Sequence, residues 1–183
     1  MTVTIAKWTV EQYHQMIAAG VLENRPVELL NGEILERPPE GEPHAYYSHE
    51  AAKYLEQKLG DRATVRQSKP ITIKTSESEP EPDLAIVQPL GRVYLNHHPY
   101  PENIFWVIEF SQSSLSKDLG IKANTYAQAE IEEYWLINLR TLELIIFRNP
   151  SEGKYQSQTR QTQGTIAPLA FPDIQLSVND LLA

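Results

Sequence analysis

The chain has no cysteine. Disulfides, thiolate zinc sites and cysteine nucleophiles are therefore excluded. It also has no apolar run near the roughly 20 residues that span a bilayer. The segment Met1-Thr2-Val3-Thr4-Ile5-Ala6-Lys7 lacks the charged-then-apolar layout of a signal peptide, so a cytoplasmic protein is expected. Positive charge is scarce: 16 Lys and Arg face 24 Asp and Glu, a formal charge of -8. Unspecific gripping of a nucleic-acid backbone needs a basic face. Only Arg62, Arg66, Lys69 and Lys74, then Lys117 and Lys122, offer local positive charge. The same acidity suits a magnesium site, because carboxylates hold that ion. P-loop, dinucleotide and Ser-His-Asp motifs are missing, as are repeats.

What is present is a chain of 183 residues, 41% apolar, enough for one domain over residues 1–183 with a real core. Thr9 with Gln12 three places on makes a capping box, and Gly20 a stop, for a helix over 10–19. Residues 27–36 read as a hairpin about Asn31-Gly32, the pair that a type I′ turn favours. A Pro- and Gly-rich loop over 37–43 precedes a helix over 44–59, closed by Gly60. Strands are expected near 63–67 and 70–74, with Pro70 at the break, then a buried strand over 83–87. An irregular excursion over 89–103 leads to a strand over 104–110. Ser111-Gln112-Ser113-Ser114 enters a helix near 116–129, with Ser116 as its N-cap. Paired strands over 134–138 and 142–148, a weak strand near 155–160 and a short helix over 177–182 complete an α/β, mixed α+β pattern.

Two carboxylates stand out. Asp83 opens the run Leu84-Ala85-Ile86-Val87, and Glu109 lies inside Ile104–Phe110. A carboxylate in a buried strand needs a cation, a proton or a metal. Neighbouring strands bring such residues within about 5 Å. Asp83, Glu109 and the Phe110 backbone carbonyl could hold Mg2+ or Mn2+, with Lys122 as a point charge at a phosphate. The bland alternatives are a turn cap for Asp83, a buried cation beside Glu109, and a surface Asp118–Lys122 pair at i,i+4. Glu28 is a further acidic ligand or base, or else one half of a cross-strand pair on a wet face. His44 is either a phosphate contact or an exposed, idle side chain. Tyr126, four residues after Lys122, shares its helix face and can cover the lysine stem. Trp135 reads as core. His97-His98 lacks the further ligands a zinc site needs.

The order of Val27-Glu28-Leu29-Leu30-Asn31-Gly32-Glu33, Glu81-Pro82-Asp83, Val107-Ile108-Glu109-Phe110-Ser111 and Lys117–Lys122 carries a resemblance, and Tyr126–Trp135 is its most distinctive block. Over residues 8–182 the chain resembles a restriction-endonuclease-like family numerous in cyanobacteria, within the PD-(D/E)xK nuclease superfamily. The resemblance implies a central mixed sheet flanked by helices. It implies magnesium-dependent hydrolysis of DNA, with Asp83 and Glu109 on the metal. It also implies that the lysine of the superfamily pattern, whose place here is Ser111, has moved to Lys122. Two functions stay open: a metal-dependent endonuclease, and a catalytically inactive nuclease-fold interaction protein. Either is expected to be a homodimer, because Ile145, Phe147 and Tyr155 would leave apolar surface at a sheet edge.

Overall fold

The computed structural model describes residues 4–112 and 114–183. Met1–Val3 and Ser113, the latter in the expected helix entry, lie outside the described residues. Six strands form the central sheet: β3 (Thr64–Gln67), β4 (Leu84–Val87), β5 (Ile104–Ser111), β6 (Glu133–Asn138), β7 (Glu143–Ser151) and β8 (Lys154–Gln161), in that order across it. Only β5 and β6 run parallel. The other neighbours are antiparallel, so the sheet is mixed as expected.

Strands β4, β5 and β6 are buried on both faces, which is why they read as continuous apolar runs rather than alternating ones. One face carries Ile86, Trp106, Ile108 and Trp135 against α2 (Glu42–Leu59), through Ala51, Ala52 and Leu55. The opposite face carries Ala85, Val107, Tyr134 and Leu136 against Ala123 and Tyr126 of α4 (Ala123–Gln128). A separate hairpin, β1 (Val27–Leu30) and β2 (Glu33–Glu36), turns at Asn31 (φ 52) and Gly32 (φ 75), the two positive φ angles of a type I′ turn. Helix α1 (Val10–Ala18) packs Val10 and Tyr13 on this hairpin, and its Thr9–Gln12 capping box is formed. Strands β9 (Thr165–Ile166) and β10 (Leu176–Ser177) and helix α5 (Val178–Leu181) close the α2 side.

Three local expectations change. Residues 70–74 make no strand: Ser68 is left-handed (φ 48), and Pro70 follows without an N–H. Ile71 and Ile73 are buried instead through turn hydrogen bonds, among them Ile73 N–H to the Ser78 carbonyl at 2.8 Å. Helix α2 begins earlier, at Glu42, because Gly41 serves as N-cap and Pro43 fits the first turn. The helix after β5 begins with α3 (Leu115–Lys117), whose N-cap is Ser114 rather than Ser116. It passes through a π-helical turn over Asp118–Lys122 before α4.

Candidate active site

The register of β4 and β5 pairs Leu84 with Ile108, so one residue further Asp83 stands beside Glu109. Directly opposed residues on antiparallel strands share a face, here the one covered by α4. Both carboxylates are buried, at 6% and 3% exposure. The Phe110 N–H donates to Asp83 Oδ2 at 2.6 Å, and His44 Nε2 lies 3.0 Å from the same oxygen. Lys122 Nζ and the Tyr126 hydroxyl both donate to Glu109 Oε1, each at 2.7 Å. Among the described residues, the bonds received by Asp83 fall on Oδ2 and those received by Glu109 on Oε1. Oδ1 and Oε2 are left for another ligand.

Glu28 is brought to the same place by β1. It is fully buried, not on a wet face, and takes Lys117 Nζ at 2.5 Å on Oε1. Lys122 Nζ stands 3.6 Å from its Oε2, to which the Glu81 N–H donates at 3.3 Å. Asp118 and Lys122 are not a surface pair: both are buried, and Asp118 Oδ2 accepts the Ser114 hydroxyl at 2.5 Å. Tyr126 does more than cover the lysine stem, since its hydroxyl bonds Glu109. Trp135 is core, donating its indole N–H to Glu133 at 2.8 Å. His97 and His98 stay in the excursion, away from these groups.

A histidine before a helix is more often exposed and idle than a phosphate contact. In the fold His44 reaches Asp83, and its Nδ1 lies 3.7 Å from Glu40 Oε2. Glu40, His44 and Asp83 each offer a ligand atom within 4.8 Å of one another. Arg37, another basic residue at this loop, pairs with Glu81. The signal for both was positional: a basic residue flanking a Pro-Gly loop that feeds a helix N-terminus. The small cleft that results holds about 60 Å³.

Electrostatics follow from the burial of like charges. Burial pushes Glu109 up to about 8; Lys122 opposes this, while Asp83 and Asp118 add to it. Burial also raises Asp118. For Lys122 burial works against the charged form, but Glu109, Glu28, Asp83 and Asp118 outweigh it and lift the ammonium well above its ordinary value. Burial likewise disfavours a charged Glu28, yet Lys122 and Lys117 hold it below the usual carboxylate range. His44 is raised: burial opposes its charge, and the bond to Asp83 wins. The donor set is hard oxygen from two strands, supplemented by one imidazole. That fits a divalent cation, which would offset the burial and the neighbouring negative charge that lift Glu109.

No curated protein matches the chain. Among solved structures, a putative nuclease belonging to DUF820 from Anabaena variabilis ATCC 29413 superposes with a TM-score of 0.73 at 17% identity. That match covers 95% of this chain and 97% of the other, and supports the same mixed sheet flanked by helices. The sequence profile described as Uma2, putative restriction endonuclease, matches residues 10–179. The chain, nearly throughout its length, therefore belongs to the Uma2 family of putative restriction endonucleases.

Proposed function

We propose that the chain is a metal-dependent endonuclease that hydrolyses phosphodiester bonds of DNA. The observation that carries this reading is the convergence of Asp83, Glu109 and Lys122, with one oxygen of each carboxylate left unbonded by its neighbours. Asp83, Glu109 and the Phe110 carbonyl are the ligands proposed for Mg2+ or Mn2+. When bound, such an ion neutralises phosphate charge and acidifies a water. The chain's own groups prepare the place. Phe110 N–H and His44 fix the rotamer of Asp83, and Lys122 and Tyr126 fix that of Glu109. Lys122, kept cationic by its carboxylate neighbours, faces negative charge building on the phosphate. Glu28 holds Lys117 and Lys122 in the absence of substrate and is the candidate to accept a proton from the attacking water.

One observation favours the second reading, an inactive interaction protein: the Lys122 ammonium is already engaged by Glu109 and lies near Glu28. Incubation of supercoiled plasmid with Mn2+ decides between them. Nicking by the wild type and none by Asp83→Asn is expected; a wild type inert with every divalent ion tested favours the inactive protein. The homodimer remains a proposal resting on the sheet edge at β8. Ile145 and Phe147, which first suggested it, are buried within the chain, and the Tyr155 hydroxyl donates to the Ile131 carbonyl at 2.8 Å. Light scattering at micromolar concentration tests it.

A further inference from the structure

The cleft at Asp83 and Glu109 holds about 60 Å³, room for an ion and little else. Ligand-sized clefts run to roughly 300–1,000 Å³. A second cleft, of about 950 Å³, lies between α1 and the excursion at Tyr94–Tyr100. Glu81 lines both the small cleft and an intermediate hollow, and His14 and His98 line both that hollow and the large cleft. That hollow therefore lies between the carboxylates and the large cleft.

Tyr94, Tyr100, three histidines and Lys74 line the large cleft, together with the carboxylates of Glu11 and Glu77. His97 stacks on Tyr100 at 4.3 Å with an interplanar angle of 9°. Tyr94 meets His97 edge-on at 6.3 Å, and its hydroxyl is anchored on the Gln88 carbonyl at 2.8 Å. Arg66 lies over the Tyr94 ring at 5.5 Å, and Lys74 over Tyr100 at 4.5 Å. His14 is oriented from behind: Glu79, buried at 3% exposure, takes its Nε2 at 2.7 Å and the Thr72 hydroxyl at 2.7 Å. Of the carboxylates in the cleft wall, Glu77 is engaged by the Val10 N–H at 2.7 Å, and Glu11 stays exposed on α1. Rings with cations beside them are what unpaired nucleotides bind, by stacking of the base and neutralisation of the phosphate.

We propose that this cleft seats an unpaired nucleotide of the substrate strand away from the cleaved bond. Its base lies against Tyr94 and His97, and its phosphate meets Lys74 and His14. The identity of the ligand rests on the nuclease reading above; the site itself is separate from the metal ligands.

The test is anisotropy of fluorescein-labelled hexathymidylate in EDTA, where cleavage is off and the metal ligands are not needed. Lys74→Ala and His97→Ala are each expected to weaken binding about tenfold, the scale of one lost stacking or charge contact. Lys58→Ala, a cation lining none of these clefts, should bind as wild type. Lys74 is exposed, so its variant should fold, and far-UV circular dichroism checks both. Equal binding by wild type and both variants, or no binding by the wild type, overturns the proposal. Thymidine monophosphate binding as tightly as the hexamer also overturns it, since the cleft would then serve a free nucleotide. A plasmid assay with Mn2+ separates the two readings. Cleavage with an unchanged KM in both variants sinks the nucleotide seat and leaves the nuclease. Variant-sensitive hexamer binding by a chain that never cuts sinks the nuclease and leaves the seat.

Discussion

Glu28 shows how a single residue can be costly and retained. Its carboxylate is fully buried, and Lys117 and Lys122 hold it ionised. Its pKa lies below 4.5 in the fold. The stabilisation it contributes is therefore complete above the unfolded value and lost as pH falls through the lower folded one. Glu28→Gln is expected to cost roughly 1–3 kcal/mol at neutral pH, since Lys122 keeps Glu109 as a partner. By calorimetry, the gap in Tm between the two proteins should be full above the ordinary carboxylate range and should narrow as pH falls below it. A gap independent of pH would mean that the carboxylate charge contributes nothing. Lys122 is the complementary case. Lys122→Ala leaves Glu109 and Glu28 short of a buried cation, for a cost of about 3–5 kcal/mol. Lys122→Met fills the space and should unfold at a higher temperature than Lys122→Ala, while cutting no DNA. Equal Tm values for the two would argue against stem packing. Asp83, Glu109 and Lys122 were legible because mid-strand carboxylates need partners. His44 was legible only as a candidate: its place at a loop-to-helix junction marks it, but nothing in the sequence names Asp83 as its partner.

At the scale of elements, the hairpin and the π-helical turn place the charges. Gly32 takes φ 75, and a Cβ there would lie 2.9 Å from the Lys7 Cβ. Gly32→Ala therefore meets both backbone strain and a steric clash, and should lower stability by about 1–2 kcal/mol. Chemical denaturation measures it, and a loss near zero would show that the turn relaxes freely. The π-helical turn has a different consequence. Five residues along a regular α-helix are about 140° apart, so Lys117 and Lys122 would not face one carboxylate. The wider turn over Asp118–Lys122 lets both approach Glu28, at 2.5 Å and 3.6 Å. Deleting Gly120, at which an added Cβ would meet nothing within 4 Å, should restore a regular helix. Lys117 and Lys122 then stand four residues and about 40° apart, still on one face. The expected outcome is a folded protein by circular dichroism that keeps both lysines toward Glu28 and retains plasmid cleavage; lost cleavage would show that the wider turn itself shapes the site. The Asn-Gly hairpin could be read from sequence because its dihedral demand is specific to those residues. The π-helical turn could not, because one inserted residue in a 14-residue helical stretch barely disturbs the apolar period.

Across the whole molecule, the sheet brings acidic groups together from distant parts of the chain. Glu28 comes from β1, Asp83 from the start of β4, Glu109 from β5 and Asp118 from the π-helical turn. The centre of the mixed sheet was legible because β4, β5 and β6 are apolar on both faces, whereas residues 70–74 carry a similar composition without the backbone geometry. Gathering these carboxylates in one buried place raises Glu109 and disfavours the metal-free fold. A ligand that binds only the native state stabilises it by mass action, by about 2.7 kcal/mol at a hundredfold excess over Kd. For a chain of this size each kcal/mol is worth about 2–4 °C in Tm. Saturating Mg2+ or Mn2+ is therefore expected to raise Tm by roughly 5–10 °C. Binding has to displace the Glu109 proton, so the shift should grow as pH rises toward 8 and level off above it. Asp83→Asn keeps the shape of the site and removes one charged ligand, so its Tm should hardly respond to either ion. If Asp83→Asn responds as strongly as the wild type, the ion sits elsewhere, and the pairing of Asp83 with Glu109 serves the fold and not the chemistry.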